Sequence, residues 1–262
     1  MFGHACAPPL RLRRGYSTNV SVAYRYLSDM KTAASASIHR LDRSRHAAPQ
    51  VFERLREMIL SLELEPGTVL SRTELATRYG LSQTPVRDAL MKLGEEGLVD
   101  IFPQHATVVS QISVASAMQA HFLRRSIELE VVRTLAREHK ASLVARLRAT
   151  IAEQTEWLDP KDVEQFSLLD QAFHRQMYEA AGVPQLWDLV RRLSGHIDRL
   201  RRLHLPVEGK TMAVVRDHTE IVDAIEKGDA ESADAALRKH LSGTLSQVDE
   251  IRTRHPTFVT DH

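Results

Sequence analysis

Cysteine is nearly absent from the chain: Cys6 is the sole example in 262 residues. A single thiol closes no intrachain disulfide and nothing else points to an oxidising compartment, so a cytoplasmic protein is expected. Aromatic residues are also scarce, at 5% against 43% hydrophobic overall, a balance that leans toward aliphatic helix packing. No apolar run approaches the roughly 18 residues that span a bilayer, which excludes a helical membrane protein. The chain has neither a Gly-rich phosphate loop nor a nucleophile elbow, and both absences weigh against an enzyme. Charge of one sign is lacking too, with a net +1. Division near residue 112 leaves 14 Lys/Arg against 11 Asp/Glu on the N-terminal side and 21 against 23 on the other. The asymmetry has the sign expected of an N-terminal DNA-binding half but is too slight to decide.

What is present begins with a basic leader, residues 1–48. Arg11, Arg13, Arg14 and Arg25 precede the first acid, Asp29. An Arg-rich transit peptide has this composition. So does sequence upstream of a true start at Met30, the preferred hypothesis, which N-terminal mass spectrometry showing a chain from Met1 would sink. From Gln50 the spacing of Val51, Phe52, Leu55, Met58, Ile59 and Leu62 predicts an amphipathic helix, stopped by Pro66-Gly67. Ser71 and Glu74 form a capping-box spacing for a second short helix that ends at Gly80. Ser82 is expected to cap a third, with Val86, Ala89, Leu90 and Leu93 facing inward and Gly97 ending it. Residues 98–102 and 107–109, either side of Pro103-Gln-His-Ala106, read as a hairpin. Three helices and a hairpin over 49–112 make a winged helix-turn-helix. Beyond Ser110 no further strand is expected. Six amphipathic helices near 113–138, 141–157, 161–181, 184–204, 211–227 and 230–252 predict an all-α antiparallel bundle, with 253–262 as a flexible tail.

In a helix-turn-helix the second helix enters the major groove, so the outward face of 82–94 carries the chemistry. Arg87 suits a guanine edge, Gln83 an adenine, and Ser82, Thr84 and Lys92 phosphates; Gln104 and His105 are the wing candidates. The alternative for any such face is plain solvation. Leu81-Ser-Gln-Thr-Pro-Val-Arg-Asp-Ala-Leu90 followed by Gly94-Glu-Glu-Gly-Leu-Val99, with Pro66-Gly67, Leu70 and Thr73-Glu-Leu-Ala76, closely resembles the GntR family of bacterial regulators. That resemblance implies a DNA-binding transcription regulator, most commonly a repressor, at the bacterial nucleoid. Two departures stand out. Gln83 replaces the family's usual Arg, and His105-Ala106 replaces the wing's usual Arg-Gly.

In the second half, Asp170 and His174 lie four residues apart on one helix face. His218 and His240 lie on either side of the turn at Gly228-Asp229. If their helices fold back antiparallel, a rise of ~1.5 Å per residue brings the two imidazoles to nearly the same height. One carboxylate and three imidazoles suit zinc, nickel, manganese or iron. With 13 histidines in the chain, most are expected to be bystanders, His196 among them. The motifs Leu123-Arg-Arg-Ser-Ile-Glu128, Asp170-Gln-Ala-Phe-His174, His218-Thr-Glu-Ile-Val-Asp-Ala-Ile225 and His240-Leu241 are similar to the FCD ligand-binding domain of the FadR subfamily. The resemblance implies a divalent metal on Asp170, His174, His218 and His240 over 113–252, and a small effector, an organic acid. Arg124 or Arg125 is then a partner for the effector anion, the alternative being a surface salt bridge with Glu128. Two other readings stay open: a metal-dependent enzyme, and a metal that only pins helices together. A homodimer on a palindromic operator is expected, because one recognition helix covers only a few base pairs.

Overall fold

The computed structural model describes residues 41–261 apart from Arg43 and Gln104. Most of the leader, Met30 included, therefore lies outside the described residues. Its last part does not, and here the expected boundary moves. Helix α1 (Ala47–Leu60) starts three residues before Gln50, because the Gln50 amide holds the preceding turn. That amide donates to the Asp42 (2.9 Å), Arg45 and His46 (both 3.2 Å) carbonyls and accepts from the Asp42 backbone N–H at 2.8 Å.

Strand β1 (Val69–Leu70), α2 (Arg72–Tyr79) and α3 (Gln83–Glu95) follow. The Ser71 hydroxyl accepts from the Glu74 N–H, and Gly80 closes α2 in the left-handed region at φ 64°, both as the sequence predicts. Ser82 occupies the N-cap of α3, but its hydroxyl makes no cap bond, a correction to its expected capping role. The hairpin pairs β2 (Val99–Phe102) with β3 (Ala106–Val109) antiparallel, Ile101 opposite Thr107. β1 adds to the other edge of β3, giving the order β1-β3-β2. Two residues are too few to carry a visible alternation, so β1 escaped the sequence pattern.

Beyond the connector, β4 (Ile112–Ser113) leads into α4 (Val114–Glu138), α5 (Ala141–Thr155), a 3₁₀ turn at Pro160–Asp162, and α6 (Val163–Ala180). Then come α7 (Pro184–Leu193), α8 (Gly195–His204), α9 (Lys210–Glu226), α10 (Ala230–Ser242), a 3₁₀ turn at Leu245–Gln247, α11 (Val248–Arg254) and β5 (Val259–Thr260). Leu129, Val132, Leu135, Leu147, Phe166, Phe173, Met177, Ile221, Ile225 and Leu237 fill the core between α4, α5, α6, α9 and α10. Burial of such side chains, each worth about 1.5–3 kcal/mol, is what holds the helices side by side.

Three expectations are corrected. The helix expected over 184–204 is two, because the Ser194 hydroxyl bonds back to the Val190 and Arg191 carbonyls and Gly195 meets Leu98 of the winged helix. A Cβ at Gly195 would stand 2.6 Å from Leu98 Cδ2, so only glycine admits this approach. The helix expected over 230–252 breaks at Gly243, where Lys210 Nζ fills the space a side chain would need. The tail expected to be flexible is not loose over its described residues, 253–261. Val259 is buried and pairs in parallel with Ile112, which also corrects the expectation of no strand after Ser110.

Candidate nucleic-acid interface and candidate metal centre

Helix α3 buries Val86, Ala89, Leu90 and Leu93 against the winged-helix core, so the opposite face must look outward. Ser82, Gln83, Thr84, Arg87 and Lys92 are all exposed there, as is His105 in the wing; Gln104 lies outside the described residues. Arg87 leans on its neighbour Asp88 at 3.1 Å, with its side chain 57% exposed. Pairs this open to solvent contribute little, so the guanidinium is free to turn toward another acceptor. Gln83 Nε2 reaches the Thr73 hydroxyl at 3.4 Å, tying the helix start to α2. Lys92 Nζ rests 4.3 Å above the Phe52 ring, a cation–π contact on the α1 side. The exposed apolar residues Ile101 and Phe102 of the wing were not singled out by the sequence, which offers only a strand-like pair there.

In the bundle, Asp170 and His174 on α6, His218 on α9 and His240 on α10 converge. All four are buried, and one potential ligand atom from each lies within 4.8 Å of the others. The turn at Gly228 (φ 72°) does what the spacing requires, bringing the His218 and His240 ring centroids to 4.6 Å. Two of the three imidazoles turn Nδ1 to an oxygen at close range, and the third has none within hydrogen-bond distance. His218 Nδ1 is 2.9 Å from Gln154 Oε1, His174 Nδ1 is 3.0 Å from Glu128 Oε2, and His240 Nδ1 is 3.9 Å from Asp217 Oδ2. In His218 the Nδ1 that faces the Gln154 oxygen carries the proton, which leaves its Nε2 with a bare lone pair. The Nε2 atoms point inward: His174 and His240 face each other at 3.1 Å, and His218 lies 3.6 Å from Asp170 Oδ1.

The electrostatics reinforce this arrangement. Burial, and then the neighbouring His218, pushes the His240 imidazole well below its usual range. Burial also lowers His218, to about 3, against the pull of Asp170. Burial acts to raise Asp170, but Arg201 at 2.8 Å, with His174 and His218, holds it well below the usual carboxylate range. Burial likewise opposes ionisation of Glu128, and Arg124 and His174 overcome it, down to about 2. Three imidazoles beside a fixed carboxylate form a nitrogen-and-oxygen donor set that fits a divalent first-row metal. His218 Nε2 has no hydrogen-bond partner among the described residues, as a ligand atom awaiting a cation would not.

Beside the cluster lies a cavity of about 20 Å³, lined by His121, Arg124, Arg201, Lys210 and His240 among others. The two effector candidates separate here: Arg124 lines the cavity, and Arg125 is not among its lining residues. Arg124 does pair with Glu128, at 2.7 Å, but the pair is buried, so the surface-salt-bridge alternative is corrected. Arg201 and Lys210 escaped the sequence reading. The available signal was Arg201 four residues after Ile197, a cation on the inward face of an amphipathic helix. Among the described residues no helix is long and apolar enough to cross a membrane.

Residues 47–109 match the model of the bacterial regulatory proteins of the gntR family, and residues 119–243 match the FCD domain. A helix-turn-helix regulator in an unstable DNA locus of Streptomyces ambofaciens is 38% identical over 212 residues, covering 80% of this chain and 89% of that protein. The helix-turn-helix transcriptional repressor RspR of Escherichia coli K12 is 30% identical over 212 residues, 81% of this chain and 93% of its own. Among solved structures, E. coli McbR/YncC superposes with a TM-score of 0.66 at 20% identity, covering 79% of this chain and 98% of McbR, which supports the fold. Regulators of this kind bind DNA, and FCD domains bind small-molecule effectors. The chain belongs to the GntR family of transcriptional regulators, with an FCD domain behind its winged helix, and is not an enzyme.

Proposed function

We propose that the protein is a homodimeric repressor whose grip on a palindromic operator is set by a small carboxylate bound beside a divalent metal in the helical domain. The observation that carries this reading is the convergence of Asp170, His174, His218 and His240, all buried, with one potential ligand atom from each within 4.8 Å of the others. The Nδ1 atoms of His218 and His174 face oxygens at 2.9 and 3.0 Å, and the Nε2 atoms of the two rings turn toward Asp170 and His240. Facing lone pairs 3.1 Å apart repel one another unless a cation or proton lies between them. Asp170, His174, His218 and His240 would hold the metal, which supplies a Lewis-acid anchor for a ligand carboxylate. Arg124, with Arg201 and Lys210, gives the adjoining space the positive charge that selects an anion. The naming of the E. coli relative as a repressor favours repression as the sign of the response.

On the DNA side, Ser82, Thr84 and Lys92 hold the phosphates while Gln83 and Arg87 read bases, and the wing approaches through Gln104 and His105. The homodimer finds support in Met118 and Phe122, exposed four residues apart on α4, an apolar stripe of the kind a second copy covers. One observation favours a metal that only pins α6, α9 and α10 together: the adjoining cavity of about 20 Å³ has room for little more than one water.

The test is metal analysis of purified protein, followed by affinity for DNA selected by the protein from a random pool, with and without a panel of small carboxylates. A carboxylate-dependent change in affinity is expected. Metal uptake with no response across the panel would favour the pinning role, and no uptake would sink the reading. Arg87→Ala should cost about 1–3 kcal/mol of specific DNA affinity and relax selectivity at its base, with the melting temperature unchanged.

A further inference from the structure

Helix α8 touches both halves of the molecule through residues two positions apart. Two residues on an α-helix point about 200° apart, so Arg199 and Arg201 leave the helix on opposite sides. Arg201 reaches Asp170 Oδ1 at 2.8 Å and lines both the small cavity and a cleft of about 480 Å³ that α1 also lines. Arg199 turns the other way and is fully buried. Its guanidinium donates to the Ser110 carbonyl at 2.7 Å and to the Ser110 hydroxyl at 3.2 Å, the residue that leaves the winged helix for the bundle. The Ser110 hydroxyl in turn donates to the Gly97 carbonyl at 2.7 Å, at the end of the recognition helix.

His196 completes the clamp. Its Nδ1 accepts from the Ser113 N–H and from Arg199, both at 3.0 Å, which places the ring proton on Nε2, beside Gly97. Among the described residues the charge of Arg199 has no carboxylate at ion-pair distance; burial lowers it to about 10, and Asp100 acts on it only from further away. A buried cation held by neutral acceptors costs stability compared with an apolar side chain of the same volume. Four neutral acceptors converge on one buried guanidinium, the Gly195 carbonyl of its own helix and three that serve to fix the direction of the connector.

We propose that α8 couples the Asp170 site to the winged helix, with Arg201 sensing the site and the Arg199–His196 clamp carrying its displacement to residues 97–113. The proposal rests on the metal reading given above and extends it to regulation. The physical ground is competition: Asp170 Oδ1, which Arg201 holds, is also the oxygen nearest the bare Nε2 of His218. A cation drawn to that oxygen displaces positive charge from it, and α8 is the rigid element on which that charge is mounted. A coupling of this kind is reciprocal, so whatever moves the connector also changes the affinity of the site.

Hydrogen exchange of the full chain, with and without zinc, tests this without knowledge of operator or effector. In the native sequence, zinc should protect α6, α9 and α10 and alter exchange across residues 97–113 by about fivefold or more. Arg199→Met, which keeps the length and removes the donors, should retain zinc uptake and protection at the site while the response at 97–113 disappears. Ser110→Ala removes one acceptor with little risk to folding and should reduce that response partway. An undiminished response at 97–113 in both variants overturns the proposal, as does zinc binding in the native chain that never reaches 97–113. Absence of zinc uptake by the native chain overturns it together with the reading it rests on.

Discussion

Two buried polar clusters sit within the same molecule and are built on opposite accounts. Around Arg199 and His196, each nitrogen that points at a neighbour finds a complementary group: Ser110 carbonyl and hydroxyl, Ser113 N–H, Gly97. Around Asp170, His218 and His174 are oriented from behind by Gln154 and Glu128, yet the front atoms of the imidazoles face one another without complement. A satisfied cluster is a joint, and its energy goes into geometry. One with oriented but uncompensated atoms is a socket. Burial alone does not tell them apart, since His196 and His240 are 7% and 8% exposed.

The difference can be broken at either end. The largest effect should come from His218→Ala, expected to lower metal affinity by at least about a thousandfold, since even supporting residues around such sites cost 10–100-fold when lost. Titration calorimetry reads it, and Arg199→Met should move the same titration only by the size of the coupling, about fivefold. Next is acid sensitivity of the joint. Burial, and then Arg199, pushes His196 down to about 4 from its ordinary 6.5, so between those values the unfolded chain binds more protons than the folded one. Stability therefore falls as pH drops from 6.5 to 4, by up to about 3 kcal/mol. His196→Asn, which keeps an acceptor near Nδ1, should flatten that part of the pH–stability curve measured on metal-free protein. Gly195→Ala should cost about 2 kcal/mol through the clash with Leu98, read by chemical denaturation, with metal affinity intact. Smallest is Gln154→Leu. It removes the acceptor behind His218 Nδ1 and should weaken metal binding about tenfold while the fold persists.

The socket was far more legible than the joint. Asp170 and His174 are four apart on one helix, and His218 and His240 flank a glycine turn at matched distances, so local periodicity brings each pair together, and the resemblance to the FCD domain joins the two pairs. The recognition helix was legible for a related reason: Gly80, Gly97 and the inward leucines are local signals. Arg199, by contrast, reads as one more cation on a basic helix, and only the arrival of Ser110, 89 positions away, makes it a buried clamp. His196 was expected to be a bystander; it makes no contact with the metal-type cluster, but it is the pivot of the joint. The break at Ser194-Gly195 depends on Leu98, and β5 on Ile112, partners that no window of a few turns contains.

The pairing of Ile112 with Val259 carries a further consequence, for the order in which the molecule is assembled. The winged helix is a local structure, complete once residue 109 has left the ribosome, and its three helices and sheet can close early. The connector that aims it cannot. Gln111 waits for the Thr257 carbonyl 146 residues on, so the direction of the DNA-reading head is among the last features of the chain to be set during synthesis. A nascent or truncated chain ending before residue 257 would carry a folded DNA-binding head whose connector keeps the Arg199–His196 clamp but lacks the strap at Gln111 and Ile112, and so is aimed less firmly.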